Sequence, residues 1–209
     1  MPPDSTALAP LQRHSTLRVQ QKKEWGEILL GFEGRNRYQV VGDSGEPLYF
    51  AGEVGGGAGL FLLRMFLKAS RPFTMELKSP SGVTALRVKR PWRFWLSHAD
   101  IEDGEGQVLG AIQQRFAFFA RIYDVLGPSG EVLAQLRGPF FKPWTFIIEE
   151  SGQEVGRIQK RWSGFGKEMF TDADNFGVTF NNVHNAQLRA LAVGATFLLD
   201  FVHFENRGG

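Results

Sequence analysis

The middle of the chain is a run of short alternating segments broken by glycine-centred turns. Turn signals stand at Asp43-Ser44-Gly45, Pro80-Ser81-Gly82, Asp103-Gly104-Glu105-Gly106, Pro128-Ser129-Gly130 and Ser151-Gly152. The last four lie about 22 to 24 residues apart, the spacing of two short strands with two turns in an up-and-down antiparallel sheet. The flanking segments alternate as half-buried strands do. Phe73, Met75 and Leu77 face one way, and Thr74, Glu76 and Lys78 the other. Val132, Ala134 and Leu136 alternate with Glu131, Gln135 and Arg137, with Leu133 out of pattern. A sixth hairpin reads as Lys167 to Thr171, a turn over Asp172 to Asn175, then Phe176 to Phe180. Six hairpins predict about twelve strands, and a sheet of that size closes to remove its edges. Such a barrel is too wide to be filled by its own side chains and needs an insert.

The C-terminus offers one. Leu188 to Phe204 is apolar nearly all round as a helix, with Leu188, Leu191, Ala195, Leu198 and Val202 on one face. Its polar residues, Arg189, Thr196, Asp200 and His203, form a narrow stripe. A helix of this kind belongs in a large core or in a membrane. As a span it is short, and Arg189, Asp200 and His203 offset much of what its apolar residues gain on insertion. The need of the barrel for a filler favours the core. The expected fold is mainly β: an antiparallel closed barrel of about twelve strands around a buried hydrophobic C-terminal helix. Residues 1–15, with Pro2, Pro3 and Pro10, read as a disordered tail, and residues 16–209 as the barrel domain with its helix at 186–204.

Composition narrows the function classes. Charged residues are 22% and the net charge is +2, so nothing draws the chain to nucleic acid. There is no cysteine, which excludes disulfides, thiolate metal sites and a cysteine nucleophile. The four histidines lack metal spacing, Gly55 to Gly59 lacks the Lys-Ser/Thr of a phosphate loop, and no serine nucleophile elbow is present. An enzyme is therefore not expected. Met1 to Gln12 lacks the apolar run of a secretory signal, which suggests a cytoplasmic location.

An ordered set of motifs resembles the phospholipid scramblase family. It comprises Phe32-Glu33 with Asn36-Arg37-Tyr38, Tyr49-Phe50-Ala51, Ser70 to Thr74, Lys89-Arg90-Pro91, Gly138-Pro139, and Gly156-Arg157-Ile158 running on to Trp162-Ser163-Gly164. Phe170 to Gly177 and the ending Gly194 to Glu205 are the most specific pieces. The resemblance implies a tubby-like barrel of twelve strands around a C-terminal helix. It further implies membrane association and calcium-responsive movement of lipid between leaflets.

Two expectations follow from the resemblance, and a third from the residues alone. Asp172 to Val183 matches the family's proposed calcium loop, with Asp172 and Asp174 as carboxylate ligands, but Phe176 and Val183 stand where oxygen is wanted. Weak calcium binding and a plain hairpin turn are both open there. Two loops that carry acylated cysteine clusters in eukaryotic members carry aromatics here: Trp92, Arg93, Phe94 and Trp95 after Lys89-Arg90, and Phe140, Phe141, Lys142 and Trp144. Aromatics beside Lys and Arg are the residues that settle at a membrane interface. Shallow insertion into a phospholipid surface stands against covering a barrel end or an oligomer contact. Third, Leu60 to Lys68 reads as a short apolar helix. Two functions remain: a peripheral scramblase-like protein that moves or binds phospholipid, and a soluble barrel that acts as a scaffold or small-ligand binder.

Overall fold

The computed structural model describes residues 6–21, 32, 37–55, 71–161, 175–181, 183 and 185–204. A short 3-10 turn, Thr6–Leu8, leads into helix α1, Ala9–Gln12. Twelve strands follow: β1 Thr16–Gln21, β2 Arg37–Val41, β3 Pro47–Val54, β4 Phe73–Lys78, β5 Thr84–Arg90 and β6 His98–Asp103 in the first half. The second half holds β7 Val108–Arg115, β8 Ala120–Leu126, β9 Val132–Pro139, β10 Thr145–Glu150, β11 Gln153–Arg161 and β12 Asn175–Phe180. Helix α2, Ala186–His203, ends the described chain. Each strand pairs antiparallel with its sequence neighbours, and β12 pairs with β1 to close the barrel.

One local device makes four of the turns. In each, the fourth residue of the turn donates its N–H to the first residue's carbonyl and is a glycine in the left-handed region: Gly45, Gly82, Gly106 and Gly130, with φ of 88°, 86°, 89° and 83°. This is a type I turn followed by a glycine bulge, which matches the twist of a tight hairpin. The pairing register shifts beside each of the four turns, as such a bulge requires. The fifth turn, Ser151-Gly152, has both residues at positive φ (51° and 78°), the type I′ geometry of a two-residue loop.

The expected barrel and central helix are both present. Phe73, Met75 and Leu77 are buried, as are Ala134 and Leu136, whereas Val132 stands exposed at its turn. Within α2, Leu188, Leu191, Ala195 and Leu198 are buried, and every residue from Ala190 to Phe201 faces protein. Val202, expected in the core, is only partly buried and packs against the core from its edge. Helix and wall come close at Gly194, where a Cβ would lie 2.5 Å from Ile101 Cδ1.

The outer wall is polar. Arg87 binds Glu76, Lys89 binds Glu102, Gln135 binds Asp124, and Arg137 lies 3.5 Å from Glu149. An apolar inside and a charged outside invert the pattern of a membrane-spanning barrel. Among the described residues, no helix is long and apolar enough to cross a membrane.

Two expectations are corrected. The tail was expected to be disordered through residue 15, yet from Thr6 it is folded, with Leu8 and Leu11 in the core. Arg189 of α2 donates to the carbonyls of Leu11 and His14, and Tyr49 donates to that of Ala7, so the segment plugs one end of the barrel. Prolines break periodicity, but Pro10 sits in the first turn of α1, where a proline is tolerated. Second, both edges of β12 are taken, by β11 and β1; its expected partner Lys167–Thr171 lies outside the described residues. Twelve was the correct count because β1 supplies the missing strand.

Asn185 caps α2, its Oδ1 accepting from the N–H groups of Gln187 (2.9 Å) and Leu188 (3.4 Å). Asn185→Ala is expected to cost about 1 kcal/mol, seen as a fall in melting temperature of about 2–4 °C.

Candidate functional site

An up-and-down barrel sends alternate connections to opposite ends. The five tight turns, which lead from even-numbered to odd-numbered strands, form one end. The connections β5 to β6, β7 to β8 and β9 to β10 form part of the other, and they are neighbours because β6 pairs with β7 and β8 with β9. These three loops carry Trp92, Phe94, Trp95 and Leu96, then Phe116, Phe118 and Phe119, then Phe140, Phe141 and Trp144. All ten are exposed, up to 88% for Trp95, 86% for Phe119 and 92% for Phe141. Among the described residues, every exposed aromatic lies in these loops; the other large exposed apolar residues are Val83, Val108 and Val132. Single exposed valines are ordinary, whereas a contiguous apolar rim marks a contact surface.

The loops are braced at their bases. Gln114 and Ser97 exchange hydrogen bonds, Ser97 N–H to Gln114 Oε1 (3.0 Å) and Gln114 N–H to the Ser97 carbonyl (2.8 Å). Arg121 of β8 donates to the carbonyls of Pro143 (2.7 Å) and Lys142 (3.2 Å), tying the third loop to its neighbouring strand. Above these braces the rings pack mostly on one another, Trp92 on Phe94, Phe116 on Phe118 and Phe140 on Phe141, with centroids 4.9 to 5.4 Å apart.

Most of the residues expected at this surface are there. Trp92, Arg93, Phe94, Trp95, Phe140, Phe141, Lys142 and Trp144 are all exposed on the rim. Lys89 and Arg90 are not part of it. Lys89 stands on the outer wall with Nζ 2.7 Å from Glu102 Oε2. Arg90 is the next residue of the strand and therefore points inward; it is only 3% exposed. The expected lipid contact at Arg90 is replaced by a structural one. Phe116, Phe118 and Phe119 join the rim without having been expected there.

Beneath the rim lies a buried polar layer around the C-terminal end of α2. Arg71 makes a two-pronged ion pair with Glu53 (2.5 and 3.2 Å). Arg90 donates to the Arg71 carbonyl, and both guanidinium groups sit over the ring of Phe201, at 4.5 and 5.1 Å. Burial lowers the Arg90 guanidinium to about 10, which leaves it charged at neutral pH. Lys160 pairs with Asp200 (3.2 Å), which also accepts from the Tyr38 hydroxyl (2.6 Å). The Tyr123 hydroxyl lies 2.7 Å from His203 Nε2, and burial pushes the Tyr123 hydroxyl well above the ordinary tyrosine range. The cations of this layer complement the negative end of the helix dipole.

Asp172 and Asp174 lie outside the described residues. The remainder of the expected calcium loop is largely strand. Asn175–Phe180 pairs on both sides, with β1 and β11, and Phe176 is turned into the barrel. The ladder carbonyls of β12 are thus committed to the sheet. A cation held by the two aspartates would draw no ladder carbonyl from β12, and Asn175 Oδ1, buried without a hydrogen bond, is the side-chain oxygen next to them in sequence.

Comparison with known proteins places the chain in a family. The profile of the Scramblase family matches residues 1–206. The chain is 30% identical to human phospholipid scramblase 2, covering 94% of this chain and 69% of that protein. It is 31% identical to mouse phospholipid scramblase 1, covering 99% of this chain and 65% of that protein. A more distant relative is the altered inheritance rate of mitochondria protein 25 of Saccharomyces cerevisiae, 24% identical over 80% of this chain and 58% of its own. The chain thus spans about two thirds or less of the length of these relatives. No solved structure gives a significant match. The chain belongs to the Scramblase family.

Proposed function

We propose that the protein is a phospholipid-handling protein of the scramblase type that works at the bilayer surface. The carrying observation is the rim: ten exposed large apolar residues on three adjacent loops at one end of the barrel. Trp92, Trp95 and Trp144 favour the headgroup level, where the ring is part buried and the indole N–H stays wet, and the phenylalanines add apolar area beside them. The filled interior bears on mechanism. Helix α2 occupies the lumen along its length, so no lipid path runs through the barrel. The charged wall gives no lipid-facing band either. Movement between leaflets would therefore start at the rim, where inserted rings disturb headgroup packing.

The test is reconstitution into liposomes with a fluorescent phospholipid in one leaflet. Accelerated exchange between leaflets is the expected result. If vesicles are bound and no exchange occurs, the protein is a surface binder and the transport part of the proposal is withdrawn. Calcium would act through Asp172 and Asp174. With only two carboxylates, a response is expected near the weak limit of such loops, about 10⁻⁴ to 10⁻³ M.

Single rim substitutions give a finer measure. Trp95→Ser, Phe119→Ser and Phe141→Ser are each expected to weaken vesicle binding about fivefold, on the order of half the full burial value of an aromatic side chain. Co-flotation reads this directly, and unchanged binding in all three would remove the rim from the mechanism. Phe119→Ser separates the geometry from the sequence pattern, since only the geometry places it at the surface.

A further inference from the structure

Among the described residues, the three rim loops and the five tight turns differ in charge. The rim loops, residues 91–97, 116–119 and 140–144, contain the exposed cations Arg93 and Lys142 and no acidic residue. The five turns at the other end, residues 42–46, 79–83, 104–107, 127–131 and 151–152, contain Asp43, Glu46, Glu105 and Glu131 and no lysine or arginine. A net charge of only +2 conceals this division. An eight-residue strand is about 26 Å long, several times the Debye length of about 8 Å at physiological ionic strength. A surface touching the rim is therefore screened from the acidic turns.

We infer that the barrel docks end-on, rim first, on a bilayer rich in anionic phospholipid. Arg93 and Lys142 stand at the headgroup phosphates, with Trp95, Phe119 and Phe141 below them and the acidic turns toward solvent. This rests on the reading of the rim as the bilayer contact, and adds to it a lipid class and an orientation. Charge complementarity selects the occupant. Aromatics interleaved with Lys and Arg, without acids, are the composition of an interfacial belt, and each cation near an anionic leaflet strengthens binding roughly fivefold. A second copy fits poorly, because two facing rims would oppose Arg93 and Lys142 to their own like charges.

The experiment compares vesicles of phosphatidylcholine alone with an equal mixture of phosphatidylcholine and phosphatidylserine. Two cations predict about 25-fold tighter binding to the mixture. Arg93→Gln with Lys142→Gln should abolish that preference, so that the two vesicle types are bound alike. Both side chains are exposed on loops, and an unchanged thermal melt verifies that the variant is folded. Glu105→Gln with Glu131→Gln should leave affinity for the mixture within about twofold, because those charges lie beyond screening range.

Equal binding to both vesicles, or a preference that survives the Arg93 and Lys142 changes, overturns the anionic docking while the rim reading stands. A loss caused by the Glu105 and Glu131 changes overturns the orientation. Absence of binding to either vesicle overturns the rim reading and this inference with it. So does a dimer in solution that the Phe119→Ser change dissolves in place of vesicle binding.

Discussion

A chain ending before Ala186 is expected not to form the barrel at all. The helix that would be lost supplies Leu188, Leu191, Val193, Phe197, Leu198, Leu199 and Phe201 to the interior, all buried. Each large buried apolar side chain contributes about 1.5–3 kcal/mol relative to exposure. Seven of them exceed about 10 kcal/mol, comparable with the whole stability of a domain. A twelve-stranded wall cannot make up the loss by collapse, since its strands hold the lumen open. The polar layer would fail as well: Lys160 would lose Asp200, and the guanidinium groups of Arg71 and Arg90 would lose the ring of Phe201. Circular dichroism with a thermal scan checks the expectation. A cooperative melt from the shortened chain would show that α2 decorates the barrel and does not fill it.

Much of this architecture is legible in residue order because its cause is local. Each of the four bulged turns needs a glycine at one position of a short polar loop, and Gly45, Gly82, Gly106 and Gly130 announce themselves. Period-two burial follows from the pleat, so Phe73 to Lys78 reads as a strand without tertiary information. The closure of the barrel is different. It joins β1 to β12, pairing Thr16 with Thr179, and no local signal encodes a contact at that separation. The twelve strands are therefore legible, whereas the pairing of β12 with β1 is not. The folded segment at Thr6–Gln12 was hidden for a related reason: only two of its side chains, Leu8 and Leu11, are deeply buried, too few to show a period.

The rim divides in the same way. Trp92 to Trp95 and Phe140 to Trp144 are legible because Pro91 and Pro143 interrupt the strands beside clusters of aromatics. Phe116-Ala117-Phe118-Phe119 has no glycine or proline and follows Gln113-Gln114-Arg115 without a break, so it reads as more strand. Only the topology shows that the chain turns there, between the two other loops. Arg90 failed in the opposite direction. Its place in a Lys-Arg-Pro run suggested a basic surface, but one residue along a strand is the difference between wall and interior. Phe201 and the Glu53–Arg71 pair give that buried charge its setting.

Asp200→Ala is expected to be strongly destabilising, costing about 3–5 kcal/mol. Lys160 and Asp200 are both almost wholly buried, with side-chain exposure of 6% each. Removing the carboxylate takes a counter-charge from the buried Lys160 ammonium and the acceptor from the Tyr38 hydroxyl. The rings of Phe176 and Phe204, 5.2 and 4.6 Å from Lys160 Nζ, offset part of this, but a desolvated cation over an aromatic face gains only about 2 kcal/mol. For a chain of this size the loss corresponds to a fall of roughly 6–20 °C in melting temperature. Lys160→Met combined with Asp200→Leu should recover most of it, because a buried pair is weak evidence for net stability whereas a broken one is costly. Urea denaturation of the two variants side by side decides the matter. A loss below about 1 kcal/mol for Asp200→Ala would mean that water reaches the pair. The rim loops are carried by β5 to β10, while Lys160 lies on β11 and Asp200 on α2. The double variant should therefore keep its vesicle binding, and the polar layer would then support the barrel mouth without touching lipid.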